Sequence, residues 1–252
     1  MYTVGIDVGS AAIKIVVYDG ETYRYAIEPT GWSPKSNGEK VYKKFLIENN
    51  ISSSKVKRII ATGYGGRRLD FVDEYKSEIT CHGKGCHYLC SDIRGVIDIG
   101  GQDSKAILLN EKGKVLDFNL NDKCAAGTGR FLQVTTNALD LDMDQIDCLA
   151  KDSSPLSIDN MCAVFAETEV LNLLVQGAKK DEILAGLLKS IALRVGSLAG
   201  KANLQGKIAF CGGVAQSQVL RRMVKEYCNL NIITLKNPQI TGALGAAVLG
   251  FK

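Results

Sequence analysis

The chain has 252 residues, 46% of them hydrophobic and 23% charged, which is enough for one large domain or two modest ones with real cores. A net charge of +4 with no dense Lys/Arg patch argues against a nucleic-acid binder, and Lys55, Lys57, Arg58, Arg67 and Arg68 read as solvated surface. No apolar run reaches the roughly 18 residues of a membrane span, and the start MYTVGIDVGS has no basic n-region, so a cytoplasmic protein is expected. In that compartment eight cysteines point to metal or redox work rather than to a disulfide framework.

In chain order, short apolar runs predict strands over 2–8, 12–18 and 22–28, with a turn at Gly9-Ser10. Residues 29–38 read as loop and 39–49 as helix. A strand over 58–61, a turn over 62–66 and a helix over 81–90 follow. A new strand at 96–99 then repeats the opening: Asp7-Val8-Gly9 and Lys14 align with Asp98-Ile99-Gly100 and Lys105 at one offset of 91 residues. A matched strand–turn–strand suggests duplicated halves. Strands over 105–109 and 114–120 continue the second half. Helices are predicted over 131–139, 143–150, 162–176, 181–202, 218–227 and 242–249, with strands at 208–211 and 232–235.

An Asp at a strand end beside a glycine turn can hold Mg²⁺ through water while the turn's N–H groups meet phosphate. Asp7 and Asp98 have that setting. Ser10 adds a side-chain hydrogen bond, Gln102 is placed to orient an attacking water, and Lys14 brings a positive charge toward the terminal phosphate. Gly127-Thr128-Gly129 and Gly212-Gly213 supply two more glycine turns. The first lies inside NDKCAAGTGRF, residues 121–131, where Cys124 precedes a phosphate-type turn and a helix. Cys124 and Cys162 each sit where a helix is about to begin, a position that favours thiolate. Cys81, Cys86 and Cys90, with His82 and His87, have a spacing open to metal binding. For Cys81-His82 the reading taken is a structural role or one near the nucleotide cleft. Cys148, Cys211 and Cys228 read as small buried residues or incidental thiols.

DVGS at 7–10, DIGGQD at 98–103 and CGGVAQ at 211–216 resemble the two phosphate motifs and the adenosine motif of the acetate and sugar kinase/Hsp70/actin superfamily. NDKCAAGTGRF and MCAVFAETEV (161–170), with ATGYG at 61–65 and EITCHGKG at 78–85, resemble the ATP-dependent activators of 2-hydroxyacyl-CoA dehydratases, in the BadF/BadG/BcrA/BcrD-type ATPase family. The resemblance spans essentially the whole chain. It implies an α/β, duplicated actin-like (ribonuclease H-like) ATPase fold with two domains around a nucleotide cleft: residues 1–94, with 240–252 packing back on them, and 95–239. It implies ATP/ADP and Mg²⁺ as cofactors, with Asp7, Asp98 and Gln102 catalytic. Nucleotide contacts are expected from Gly9, Ser10, Ala11, Lys14, Gly100, Gly101, Asp103, Gly127, Thr128, Gly129, Glu167, Gly212, Gly213, Val214 and Gln216. It further implies a homodimer sharing one [4Fe–4S] cluster, with Cys124 and Cys162 as ligands from each subunit. Ferredoxin or flavodoxin would donate the electron, and an iron–sulfur dehydratase or reductase component would accept it. The rivals are a small-molecule kinase on the same fold and an actin-like nucleotide sensor.

Overall fold

The computed structural model describes residues 1–122, 124–158 and 163–251, and leaves the side chains of residues 163, 164, 166 and 167 undescribed. The first sheet contains β1 (Tyr2–Val8), β2 (Ala12–Tyr18), β3 (Tyr23–Pro29), β4 (Val56–Thr62) and β5 (Glu74–Tyr75) in the order β3-β2-β1-β4-β5. The second contains β6 (Gly95–Ile99), β7 (Ser104–Leu109), β8 (Val115–Asn121), β9 (Ile208–Cys211) and β10 (Ile232–Thr234) in the order β10-β9-β6-β7-β8. Each strand of one sheet has a counterpart in the other. In each sheet the first three strands of the chain, β1–β3 and β6–β8, pair antiparallel, and the two later strands join in parallel. The register repeats as well: Asp7 lies opposite Lys14, and Asp98 opposite Lys105. The duplication expected from the 91-residue offset is therefore built into the backbone.

The chain also contains α1 (Pro34–Glu48), α2 (Glu78–Leu89), α3 (Gly129–Ala138), α4 (Ile146–Ala150), α5 (Ala163–Val175), α6 (Lys180–Lys201), α7 (Gln218–Cys228) and α8 (Thr241–Gly250). Helix α1 begins five residues earlier than its apolar spacing predicts. Pro34 occupies the first turn, where a missing N–H costs nothing, so the expected loop is already helix. Strand β5 has only two residues and carries no pattern to read.

Apolar burial is divided between the halves. Val4, Ile6, Val8, Ile13 and Ile15 pack with Phe45 and Leu46 in the first. In the second, α6 lies at the centre: Leu184, Leu187, Leu188 and Ile191 are fully buried against Phe131, Leu132, Phe210 and Leu220. Fully burying such a side chain stabilises by about 1.5–3 kcal/mol. Helix α6 is long and apolar enough to cross a membrane by length and composition, but its apolar face is this core.

Helices α2 and α8 cross between the sheets at near-backbone contact. A Cβ on Gly245 would stand 1.8 Å from the Cys81 carbonyl oxygen, and one on Gly85 would stand 2.0 Å from that of Thr241. Helix α8 packs on the first sheet, where Thr3 Oγ1 donates to the Ala247 carbonyl at 2.8 Å. Helix α2 lies between α8 and the second sheet. Its Ile79, Cys86, Leu89 and Cys90 pack with Ile93, Val96, Ile107 and Ala209 of the second half. An apolar face on α2 has to be buried, and the second sheet covers it.

Candidate nucleotide site

The site is a cleft of about 1210 Å³ walled by both hairpin turns, the N-terminal end of α3 and the turn after β9. The two hairpins are the same device used twice. The Gly9 N–H donates to the Ala12 carbonyl at 3.1 Å, and the Gly100 N–H to that of Asp103 at 2.9 Å. The turns also touch: a Cβ on Gly101 would lie 2.9 Å from Ser10 Oγ and 3.3 Å from the Ala11 Cβ. Glycine at 101 lets the halves close to this distance.

Each turn carries a buried carboxylate with a lysine. Asp7 Oδ2 accepts from Lys14 Nζ at 3.1 Å. Lys105 Nζ lies 3.5 Å from Asp98 Oδ2, 2.7 Å from Asp103 Oδ1 and 2.8 Å from Glu78 Oε2. Burial by itself would raise the Asp98 carboxyl, but the charges of His82, Lys105 and Lys14 outweigh it and hold the group below the ordinary carboxylate value. Burial opposes the charge on Lys105, yet Asp98, Glu78 and Asp103 hold its ammonium above the usual lysine range. Asp7 raises Lys14 in the same way, against a similar burial penalty.

The cleft gathers residues from four places. Asp7, Gly9, Ser10, Ala11 and Lys14 come from the first hairpin. Asp98, Gly100, Gly101, Gln102 and Asp103 come from the second. Gly212, Gly213, Val214 and Gln216 follow β9, and Gly129 opens α3. Gly212 has φ +89°, and a Cβ there would meet the Ile99 carbonyl oxygen at 2.1 Å.

Gly127 and Thr128 are placed differently from expectation. Thr128 is fully buried, and its hydroxyl donates to the Ala125 carbonyl at 2.6 Å. Gly127 faces a second cavity of about 640 Å³ behind the cleft, beside Ser104 and Arg194, and its carbonyl accepts from Ser104 Oγ at 2.8 Å. The N–H groups that follow are not offered to a ligand. Gly129 donates to the Gly100 carbonyl at 2.9 Å, and Arg130 to that of Gly101 at 2.8 Å. This turn is hydrogen-bonded to the second hairpin turn at Gly100 and Gly101.

Cys124 is half-buried at the edge of the second core, and Asn121 Nδ2 donates to its carbonyl at 3.1 Å. Its expected partner Cys162 lies outside the described residues, as does the side chain of Glu167 on α5. Among the described residues no three His, Cys, Asp or Glu side chains gather as a metal site. The cysteines of α2 point to separate neighbours: Cys81 to Ile60 and Ala246, Cys86 Sγ to Cys211 Sγ at 3.3 Å, and Cys90 Sγ to Asp92.

Sequence reasoning missed three contributors. Gly63 follows Thr62, which pairs with Asp7, as Gly212 follows Cys211, which pairs with Asp98. Extending the internal repeat to these strands would have found it. Glu78 enters through Lys105. Asp147 reaches the cleft wall and caps α7, accepting from Ser217 Oγ at 2.5 Å and from the N–H groups of Gln218 and Val219.

Duplicated hairpins, two carboxylate–lysine pairs and a glycine turn after β9, all facing one cleft, define an actin-like ATPase fold. The chain belongs to the BadF/BadG/BcrA/BcrD ATPase family, whose pattern it matches over residues 4–250. It is 36% identical to the 2-hydroxyisocaproyl-CoA dehydratase activator of Clostridioides difficile, across 100% of this chain and 95% of that protein. The crystal structure of Acidaminococcus fermentans (R)-2-hydroxyglutaryl-CoA dehydratase component A superposes with a TM-score of 0.94 at 36% identity, covering 100% of this chain and 98% of that one. The Clostridium difficile activator of 2-hydroxyisocaproyl-CoA dehydratase with bound ADPNP gives 0.91 at 38%, covering 100% and 94%.

Proposed function

We propose that this protein is a cytoplasmic ATP-dependent reductase: a homodimer that couples Mg-ATP hydrolysis to electron delivery onto a partner iron–sulfur enzyme. Asp7 and Asp98 would hold Mg²⁺ through water, both buried and both at the cleft wall. Lys14 stands beside Asp7, where it would meet the terminal phosphate. Gln102 is exposed on the second turn and would orient the attacking water. Gly212, Gly213, Val214 and Gln216 would meet the nucleoside, and Glu167 would reach the ribose or a water.

A bridging [4Fe–4S] cluster would supply one-electron transfer at low potential, with Cys124 and Cys162 as each subunit's ligands. Cys124 fits as a half-buried free thiol just past the end of β8, a strand that exposes the apolar side chains Leu116, Phe118 and Leu120. Apolar surface of that kind suits a subunit or partner contact. Two thiolates per chain leave a four-ligand group to be completed by a second copy. The expected donor is ferredoxin or flavodoxin. The acceptor is an iron–sulfur dehydratase or reductase component, since relatives are named as activators of lactoyl-CoA and 2-hydroxyglutaryl-CoA dehydratases and as a benzoyl-CoA reductase subunit.

The observation that carries the reading is the pair of bonds from Gly129 and Arg130 to Gly100 and Gly101. They attach the segment bearing Cys124 to the back of the phosphate loop. Nucleotide can bias this element only through different affinities for its two states, and hydrolysis would reset it. Anaerobic purification with iron and sulfide analysis tests the proposal. A brown dimer is expected, with Cys124→Ser and Cys162→Ser each abolishing iron while ATP binding survives. A colourless monomer that takes up no iron on reconstitution would refute it, and a phosphorylated small-molecule acceptor in its place would establish the kinase reading.

A further inference from the structure

His82 stands where the two halves meet. It is a residue of α2, which is tied to the second half through Glu78–Lys105 and Cys86–Cys211. Its Nδ1 lies 2.9 Å from Thr241 Oγ1, at the start of α8, a helix of the first half. Its Nε2 faces Asp98 Oδ2 at 3.7 Å. The ring is buried, yet it forms part of the cleft wall. No side chain separates it from the first carboxylate: a Cβ on Gly242 would lie 3.2 Å from both His82 Nε2 and Asp7 Oδ2.

A buried histidine serving only the core needs partners for its nitrogens, and a single hydroxyl or carbonyl on each side would do. Here one nitrogen is spent on the other half's helix and the second is aimed at a carboxylate of the nucleotide site. The α2–α8 crossing leaves the ring no slack, because Gly85 and Gly245 press the helix backbones together within one turn of it. A change of angle between the halves must pass through this crossing. It would move Thr241 relative to His82, and with it the group that faces Asp98.

We propose that His82 is a positioning residue for ATP hydrolysis: it holds Asp98 in its working orientation and makes that orientation depend on how α8 of the first half sits against α2 of the second. The inference rests on the ATPase reading above and assigns His82 no proton transfer and no contact with phosphate. Its Nε2 side fixes Asp98, and its Nδ1 side reads the position of Thr241.

The two sides can be removed separately. Asparagine at 82 places an amide near the Nδ1 position and takes away the Nε2 group that faces Asp98, with Lys105 still in place. Glutamine reaches the Nε2 position and gives up Thr241. Steady-state ATP hydrolysis at varied Mg-ATP is measured for the wild type, His82→Asn, His82→Gln and Thr241→Val, with a melting curve for each. Misplacing a catalytic group by about 1 Å costs up to roughly a hundredfold, so His82→Asn is expected to lower kcat by roughly tenfold or more while KM stays within about threefold. Glutamine is expected to restore most of that loss. Thr241→Val leaves ring and carboxylate in place and is expected to lower kcat by roughly threefold, again with little change in KM. That variant carries the test should His82→Asn fail to fold. Equal losses in asparagine and glutamine variants that track their melting temperatures would overturn the proposal, as would wild-type kcat in both. A wild-type protein that hydrolyses no ATP overturns the underlying reading instead, and does so before any variant is compared.

Discussion

Replacing Gly245 by alanine tests whether the α2–α8 crossing sets the spacing of the halves. The added methyl would stand 1.8 Å from the Cys81 carbonyl oxygen, 2.6 Å from its carbon and 2.8 Å from the Gly85 nitrogen, where ordinary contact begins at 3.4 Å. All three are backbone atoms, so no rotamer change relieves the clash. The helices must separate by roughly 1.5 Å. Overpacking of this kind costs about 1–3 kcal/mol, sometimes more, while helix propensity alone favours alanine over glycine by about 1 kcal/mol. The two effects have opposite signs, and the contact distance decides between them. We expect Gly245→Ala to lose about 2 kcal/mol, which is about 4–8 °C in Tm for a chain of this size. Urea and thermal unfolding, with and without ADP, measure it. An unchanged m-value would show that stability has changed without a change in the surface exposed on unfolding. Because Thr241 and Gly242 lie on the same helix, ADP should protect the variant less than the wild type. Stability equal to or above the wild type would refute the reasoning, since that is what propensity without a clash would give.

Three further outcomes follow from buried charges and caps. Burial raises the Cys81 thiol from its ordinary 9.0 to about 12. Its folded value is raised, so its contribution is complete below pH 9 and is lost as pH climbs from 9 toward 12. Urea midpoints between pH 8 and 10 should therefore fall more steeply for the wild type than for Cys81→Ala. Lys105→Met removes the cation shared by Asp98, Asp103 and Glu78 and should cost about 3 kcal/mol at neutral pH, because the buried Asp98 loses the ammonium beside it. The depressed Asp98 carboxyl gives stability above its unfolded value that disappears as pH falls through the lower folded one. The gap between variant and wild type should accordingly narrow in acid, read by unfolding at pH 7 and below pH 4. Asp147→Ala leaves the N–H groups of Gln218 and Val219 without their acceptor, while Ser217 still caps that of Leu220, and should lose about 1 kcal/mol by the same assay.

Much of this was legible because the signals are local and occur twice. Apolar runs ending in Asp-x-Gly gave the strands, and the offset between Asp7 and Asp98 gave the duplication, which the sheets repeat down to their register. What escaped depends on contacts distant in sequence. That α2 belongs with the second sheet is decided by Cys86 meeting Cys211 and Glu78 meeting Lys105, neither of which leaves a trace in periodicity. The start of α1 was hidden for the opposite reason: Pro34 reads as a breaker unless it falls in the first turn. The three cysteines of α2 have a spacing open to metal, but a helix embedded between a sheet and another helix sends each to a different neighbour.

The glycine turn at 127–129 bears most on mechanism. Glycines ahead of a helix are read as a phosphate cradle because the first N–H groups have no partner within the helix. Here those of Gly129 and Arg130 already have partners, the carbonyls of Gly100 and Gly101. Both glycines line the cleft, and Gly101 also meets Ser10 and Ala11 of the first hairpin. A nucleotide that draws the hairpins together or lets them part displaces Gly100 and Gly101. The start of α3 must follow, or these two hydrogen bonds break at about 0.5–1.5 kcal/mol each. Cys124 precedes that helix by five residues, with its carbonyl held by Asn121 at the end of β8. In the proposed function, motion at the second turn would therefore reach Cys124 through a short, hydrogen-bonded path. A turn that bound phosphate directly would answer to the ligand, whereas this one would answer to the loop proposed to bind it.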